Sequence, residues 1–152
     1  MCRSVAGHRS GGRGSARSGR RPVRVGTVWR VSNYWELPGL ADLHLEDSWV
    51  REVSVSEGAV AFILDLVLRE GHPSWRPPMP GERHCYRRSI LRFDEAHAIV
   101  VRPSGLPPAI DANGETDLGH IDVMTLDDDG YHLEGDWGTV VVDSPQPTLT
   151  IH

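Results

Sequence analysis

The sequence predicts a mainly β domain, or an α+β domain, built as an antiparallel sheet or sandwich of about eight strands with little helix. Two observations support this prediction. From residue 28 onward, short apolar runs are separated by clusters of glycine, proline, asparagine and aspartate. Several runs also alternate apolar with polar residues, which is the period of a strand with one buried face. Residues 28–152 are therefore predicted to form a single antiparallel β domain.

The first element along the chain is a predicted disordered tail at residues 1–27. This stretch contains seven arginines and no acidic residue, and its Gly/Ser/Arg composition buries too little apolar surface to offset the entropy of ordering it. The tail is interpreted as translated sequence upstream of a misassigned start or as a functionless tail, and the alternative is that it contacts nucleic acid. Nucleic-acid binding is disfavoured because no aromatic residues are interleaved with the arginines.

The middle of the domain is predicted to contain two strand pairs. Residues 49–55 lead through a Ser-Glu-Gly turn into residues 59–68, where every even-numbered position is apolar. Residues 86–93 and 96–102 form the second predicted pair, joined at Asp94-Glu95. One helical turn is expected near residues 38–42. Residues 71–81 and 103–119 are too rich in proline, glycine and aspartate for regular structure.

The carboxyl-terminal third is predicted to be a four-stranded meander, with strands at residues 120–126, 131–137, 139–143 and 148–151. The second of these strands alternates most clearly, because its odd positions are apolar or glycine and its even positions are polar. The Asp-Gly pair at residues 129–130 precedes it and is a strong hairpin signal, since both residue types tolerate positive φ.

Charge and cysteine content restrict the functional class. All 16 basic residues are arginine, and seven of them lie in the tail. The rest of the chain contains nine arginines and 21 acidic residues, so the net charge of the domain is −12. Such a surface attracts a basic protein partner. The two cysteines, Cys2 and Cys85, lie in regions of different composition, so no disulfide between them is expected. We therefore expect a reduced, cytoplasmic protein. No apolar run has the length of a membrane span.

Three groups of residues are candidate binding sites. His44, Glu46 and Asp47 form a polar lip before the strand at residue 49, where Asp47 and Ser48 are expected to bond to nearby backbone amides. His132, Glu134 and Asp136 share one face of a predicted strand, and His120 with Asp122 is expected on the adjoining strand. That face is either solvated or able to hold a metal ion.

The third candidate is Trp75, in the proline-rich loop, which either forms a contact surface or folds back over the sheet. Residues 111–117 carry oxygen-bearing side chains around a glycine, but their spacing fits a turn better than a calcium loop. No nucleophile elbow, phosphate-binding glycine motif or paired zinc ligands occur. Hence no catalytic residue, metal site or cofactor is assigned.

The order of motifs resembles small uncharacterised bacterial proteins of actinobacterial type, some of which are similar to immunity proteins of polymorphic toxin systems. The resemblance covers residues 34–151 and rests on Leu-Glu-Asp-Ser-Trp-Val at 45–50, Leu-Arg-Phe-Asp at 91–94 and Leu-Glu-Gly-Asp-Trp-Gly at 133–138. It implies a domain that binds a partner. The expected function is thus non-catalytic protein binding, and the alternative is a metal-binding protein or a hydrolase that uses the His/Asp/Glu-bearing strand face.

Overall fold

The computed structural model describes residues 30–152, which form three antiparallel sheets. The predicted tail at residues 1–27 lies outside the described residues. Eleven strands follow one another along the chain: β1 (Ser32–Asn33), β2 (Leu43–Ser56), β3 (Ala59–Leu68), β4 (Cys85–Phe93), β5 (Ala98–Pro103), β6 (Ala109–Ile110), β7 (Thr116–Asp117), β8 (Val123–Asp127), β9 (Gly130–Gly135), β10 (Gly138–Asp143) and β11 (Thr148–Ile151).

The strands are distributed over a first sheet, a second sheet and a small ribbon. The first sheet has the order β1-β8-β9-β10-β5, the second has the order β11-β4-β3-β2, and β6 pairs with β7 in the ribbon. Eight strands span four or more residues, and the other three have two residues each. The prediction of a mainly antiparallel β fold with about eight strands is therefore confirmed. The three two-residue strands were not predicted.

The two larger sheets pack face to face around one hydrophobic core. The even positions of β3 are buried, as the alternation predicted, and Phe62 contributes a fully buried ring. From the first sheet come Tyr131, Leu133 and Val140, which are also buried. Ring contacts join the layers, since Phe93 lies 5.2 Å from Tyr131 between centroids. The fold is thus a β-sandwich, with the inner faces removed from water by apolar burial.

Two predicted hairpins are confirmed. β2 and β3 are joined at Glu57-Gly58, where Gly58 has φ +75°. β8 and β9 are joined by Asp128 and Asp129, and Gly130 opens β9 with φ +120°. A Cβ at Gly130 would lie 2.4 Å from the carbonyl oxygen of Val142, so this position requires glycine for space as well as for conformation.

The predicted pairing of residues 86–93 with residues 96–102 is wrong. β4 lies in the second sheet between β3 and β11, whereas β5 lies in the first sheet beside β10. Glu95 has φ 53°, and the N–H of Ala96 donates to the carbonyl oxygen of Gly58 at 2.9 Å. These contacts direct the chain from one sheet to the other. Because β3 and β11 occupy both edges of β4, no edge remains for β5.

The predicted four-stranded meander is also wrong in its last strand. β8, β9 and β10 follow one another in the first sheet, but β11 pairs with β4 in the second sheet. The segment between β10 and β11 contains Pro145 and Pro147, which have no N–H groups to continue a ladder. The free edge of β10 is already used by β5.

The little helix in the structure lies slightly upstream of its predicted position. A single 3-10 turn spans Tyr34–Glu36, and residues 38–42 form hydrogen-bonded turns instead. Within residues 30–152, no helix has the length and apolarity needed to cross a membrane. Residues 103–119, predicted to be irregular, contain the two-stranded ribbon.

Candidate functional site

The predicted polar lip lies on a bulge inside β2. His44 pairs with Val67 and Trp49 pairs with Asp65, so residues 45–48 stand opposite Leu66 alone. The buried hydroxyl of Ser48 accepts from the N–H of Val67 at 2.8 Å and donates to the carbonyl oxygen of His44 at 2.8 Å. The predicted hydrogen bond from a backbone amide to Ser48 is present, but the amide is that of Val67 on the neighbouring strand β3. Asp47, for which the same was predicted, contacts the rings of His44 and His84 instead. The Ser48 hydroxyl stabilises a bulge within the strand rather than the start of the strand.

The bulge brings His44, Glu46 and Asp47 together with two side chains that the sequence did not indicate. His44 Nδ1 lies 2.8 Å from Asp47 Oδ2, and His84 Nε2 lies 3.6 Å from the same oxygen. The hydroxyl of Tyr34 donates to Glu46 Oε2 at 2.6 Å. Each carboxylate therefore has partners within the fold. The arrangement joins residues 34 and 84 to β2, and no spacing signal could have indicated these contacts.

Tyr34 provides a pH test of this arrangement. Burial, assisted by the hydrogen bond to Glu46, raises the pKa of the Tyr34 phenol from 10.0 to about 12. A raised pKa in the folded state stabilises the fold fully below pH 10, and this contribution is lost as the pH rises towards about 12. We expect the free energy of unfolding to fall over that window. Urea unfolding at a series of pH values should show a smaller fall for Tyr34→Phe; an equal fall in both proteins would contradict the assignment.

Trp75 packs against the hydrophobic core. It is half-buried in the β3–β4 connection, and its backbone N–H donates to the carbonyl oxygen of His72 at 3.0 Å. In the same connection, Arg76 Nη1 lies 3.0 Å from Glu82 Oε2. Of the two alternatives for Trp75, the structure shows the one in which the ring folds back over the sheet.

The three residues predicted to share a strand face are divided between two surfaces. His132 and Glu134 lie on the outer face of the first sheet, but β9 ends at Gly135, so Asp136 falls in the turn that follows. Asp136 lines a separate cavity together with His120. His120 and Asp122 precede β8 rather than lying on it. The expected five-residue polar face is therefore not formed, because the strands are shorter than their alternation suggested.

A groove of about 560 Å³ lies on the outer face of the first sheet. We call it the outer groove. It combines acidic side chains, one arginine, one histidine, a threonine and small apolar side chains from β5, β9, β10 and the β8–β9 turn: Ala98, Val100, Arg102, Asp129, His132, Glu134, Thr139, Val141 and Asp143. Strand pairing brings these side chains together: Val141 of β10 pairs with His132 of β9 on one side and with Val100 of β5 on the other.

One end of the outer groove carries a group of potential metal ligands. Ligand atoms of Asp127, Asp129 and His132 lie within 4.8 Å of one another. Asp127 Oδ1 accepts from the N–H of Asp129 at 2.8 Å and lies 3.2 Å from His132 Nε2. The turn itself thus accounts for the approach of the two carboxylates. Oxygen and imidazole donors of this kind suit a divalent cation.

Charge is unevenly divided between the two sheets. Within the strands of the first sheet the only arginine is Arg102, whereas β4 of the second sheet carries Arg87, Arg88 and Arg92. Arg88 Nε lies 2.7 Å from Asp65 Oδ1, and Arg92 Nε lies 2.7 Å from Asp94 Oδ1. Arg88 and Arg92 are therefore matched by local carboxylates, whereas Arg87 donates to the carbonyl oxygens of Ser74 and His152. The outer groove is lined by three acidic side chains and one arginine.

Comparisons of the chain with protein-family models, with curated proteins and with solved structures found no match.

Proposed function

We propose that this protein is a non-catalytic binding domain, similar in role to an immunity protein, whose outer groove binds an extended basic segment of another protein. The observation that supports the proposal is the composition of the groove. Asp129, Glu134 and Asp143 line it, and Arg102 is the single arginine among its lining residues. Complementary charge favours a basic partner, and like charge disfavours an acidic one.

The apolar part of the outer groove supports a protein partner rather than a small ion. Val100 is 47% exposed and lies at the edge of the sheet, next to Val141. The apolar side chains that lie between the charged ones provide surface that a protein partner can bury. The charged side chains set the orientation of that partner. A segment with alternating basic and apolar residues would match both.

The position of β5 supports an extended partner. β5 forms one edge of the first sheet, and no strand among residues 30–152 pairs with its far side. In an antiparallel sheet, an edge strand directs the N–H and C=O groups of alternate residues away from its neighbour. A partner segment can therefore add as a further strand beside β5 and place its basic side chains over the groove.

Charge removal in the outer groove tests this proposal. We expect a synthetic octapeptide of alternating arginine and valine to bind the full chain, and Asp129→Asn/Glu134→Gln to weaken that binding about tenfold because two complementary charges are lost. Titration followed by NMR chemical shifts measures both affinity and location. The shifts should centre on Val100 and Val141.

A matched pair of changes separates local binding from a general charge effect. Glu52→Gln/Glu57→Gln also removes two exposed carboxylates, but from the β2–β3 hairpin. This variant should bind the peptide as the unaltered protein does. Equal weakening in the two double variants, or shifts spread over the whole surface, would overturn the proposal.

A metal protein is the second candidate, and the grouping of Asp127, Asp129 and His132 favours it. Elemental analysis of protein purified without chelators distinguishes the two functions. Stoichiometric zinc, manganese or calcium that is lost in His132→Ala would support the second candidate over pure protein binding.

A further inference from the structure

A second cavity lies away from the outer groove and shares no lining residue with it. Its volume is about 250 Å³. Three segments meet there: residues 106–109, residues 117–120 and the β9–β10 turn at 136–137. Two indole rings, Trp49 and Trp137, also line it, and we call it the tryptophan cavity.

Contacts of the lining residues with one another, with Phe62 and with Ser48 hold the aromatic walls of the tryptophan cavity in place. Trp137 Nε1 donates to the carbonyl oxygen of His120 at 2.9 Å, and its ring lies edge-on to Phe62 at 5.2 Å. The ring of Trp49 lies 4.2 Å from that of His120, and His120 Nδ1 lies 2.8 Å from the carbonyl oxygen of Ser48. The walls are therefore arranged before any ligand arrives, which lowers the entropic cost of binding.

The charge of the tryptophan cavity is negative. Asp117 and Asp136 line it, and no arginine is among its lining residues. Asp117 Oδ1 accepts from the N–H of Gly119 at 2.8 Å. Gly119 has φ +90°, and a Cβ there would lie 3.0 Å from Asp136 Oδ2. The backbone at Gly119 is therefore close to both carboxylates, and both line the same cavity.

The remaining lining side chains are apolar. Leu106, Pro107, Pro108 and Leu118 complete the wall. A hydrated metal ion needs several oxygen ligands and gains nothing from such surfaces. A cation that carries methyl groups gains from the apolar wall, from the π faces of indoles and from the carboxylates together. A volume of about 250 Å³ leaves room for a small molecule.

We propose that the tryptophan cavity binds a small organic cation with a methylated ammonium group. Trp49 and Trp137 contact the methyl groups, and Asp117 and Asp136 supply the compensating charge. This site is independent of the outer groove, so the failure of either proposal leaves the other intact.

Choline and its neutral isostere 3,3-dimethylbutan-1-ol are the probes. We expect choline to bind the full chain at least tenfold more tightly than the isostere, measured by calorimetry and by NMR shifts of the Trp49 and Trp137 indole N–H groups. Equal affinities, or shifts confined to other tryptophans, would overturn the proposal, as would the absence of choline binding at millimolar concentration.

Two variants and one control locate the site. Trp49→Leu removes one of the two indole surfaces and Asp136→Asn removes one of the two charges, and each should weaken choline binding about tenfold. Asp136 is exposed, so its change tests the site even if Trp49→Leu fails to fold. Trp35→Leu changes a tryptophan that is 49% exposed and outside the cavity, and it should leave binding unchanged. Equal weakening by all three changes would contradict the assignment.

Discussion

Phe62→Ala should lower the free energy of unfolding by roughly 3–5 kcal/mol, the usual cost of removing a fully buried phenylalanine. Phe62 is 0% exposed. Its ring centroid lies 6.3 Å from that of Phe93, in the same sheet, and 5.2 Å from that of Trp137, which follows β9 of the first sheet. The ring therefore contacts residues of both sheets. The surrounding strands cannot close the resulting cavity without breaking their ladders. Urea unfolding followed by circular dichroism measures the loss.

Val55→Ala is the control for this change, because it removes apolar atoms from the same β2–β3 hairpin. Val55 is 48% exposed, so its replacement should change the unfolding free energy by no more than about 0.5 kcal/mol. Similar losses in the two variants would show that Phe62 does not occupy a shared core.

Arg51→Met should lower the free energy of unfolding by about 2–3 kcal/mol. Its Nη2 lies 2.7 Å from Asp65 Oδ2, and its Nη1 lies 2.8 Å from Asp111 Oδ2; Arg51 is 14% exposed. Burial opposes the charge of Arg51, but the hydrogen bonds to Asp65 and Asp111 outweigh it and raise the pKa of the guanidinium. The expected loss is below the roughly 3–5 kcal/mol of a fully buried pair because Arg88 still pairs with Asp65.

Arg92→Met is the matched control, since Arg92 and Asp94 are 49% and 47% exposed. Such a pair contributes about 0–1 kcal/mol, so chemical denaturation should scarcely distinguish Arg92→Met from the unaltered protein. A loss for Arg92→Met equal to that for Arg51→Met would show that partial burial of the Arg51 network is unimportant.

The Arg51 network also connects the ribbon to the tryptophan cavity. Arg51 Nη1 donates to the carbonyl oxygen of Thr116 at 3.1 Å, and the ribbon contributes Ala109 and Asp117 to the cavity wall. If the ribbon depends on Arg51 for its position, Arg51→Met should weaken choline binding while Arg92→Met leaves it unchanged. The calorimetric experiment described above measures both.

Local features of the fold could be predicted from the sequence because they depend on neighbouring residues. The alternation of β3 identified its buried face, and the Asp-Gly pair before β9 identified a hairpin. The turn at residues 111–117 was also predicted, and Asp111 Oδ1 accepts from the N–H groups of Asn113 and Glu115. Each of these features involves contacts within a few residues.

The partners of β4, β5 and β11 could not be predicted in this way. A turn sequence such as Asp94-Glu95 shows where a strand ends, but it does not distinguish a hairpin from a crossing to another sheet. The choice depends on which strand edges remain unpaired, and that is decided by segments far along the chain.

The candidate sites show the same division. His132 and Glu134 share a face as their spacing predicted, because both lie within β9. Asp136 does not, because a shift of two residues in the strand end moved it to another surface. The approach of His84 to Asp47 joins positions 37 residues apart, and the bulge that makes it has no local signature.

The chain passes from the first sheet to the second after β1, returns after β4 and crosses again after β10. Each larger sheet is therefore assembled from segments that are not contiguous in sequence. No single cut separates one whole sheet from the other; a break in the exposed stretch at 104–108 leaves β4 without β11 and β5 without β10. The outer groove and the tryptophan cavity are consequently not portable as short segments: to graft either surface onto another protein, residues 30–152 would have to be moved together.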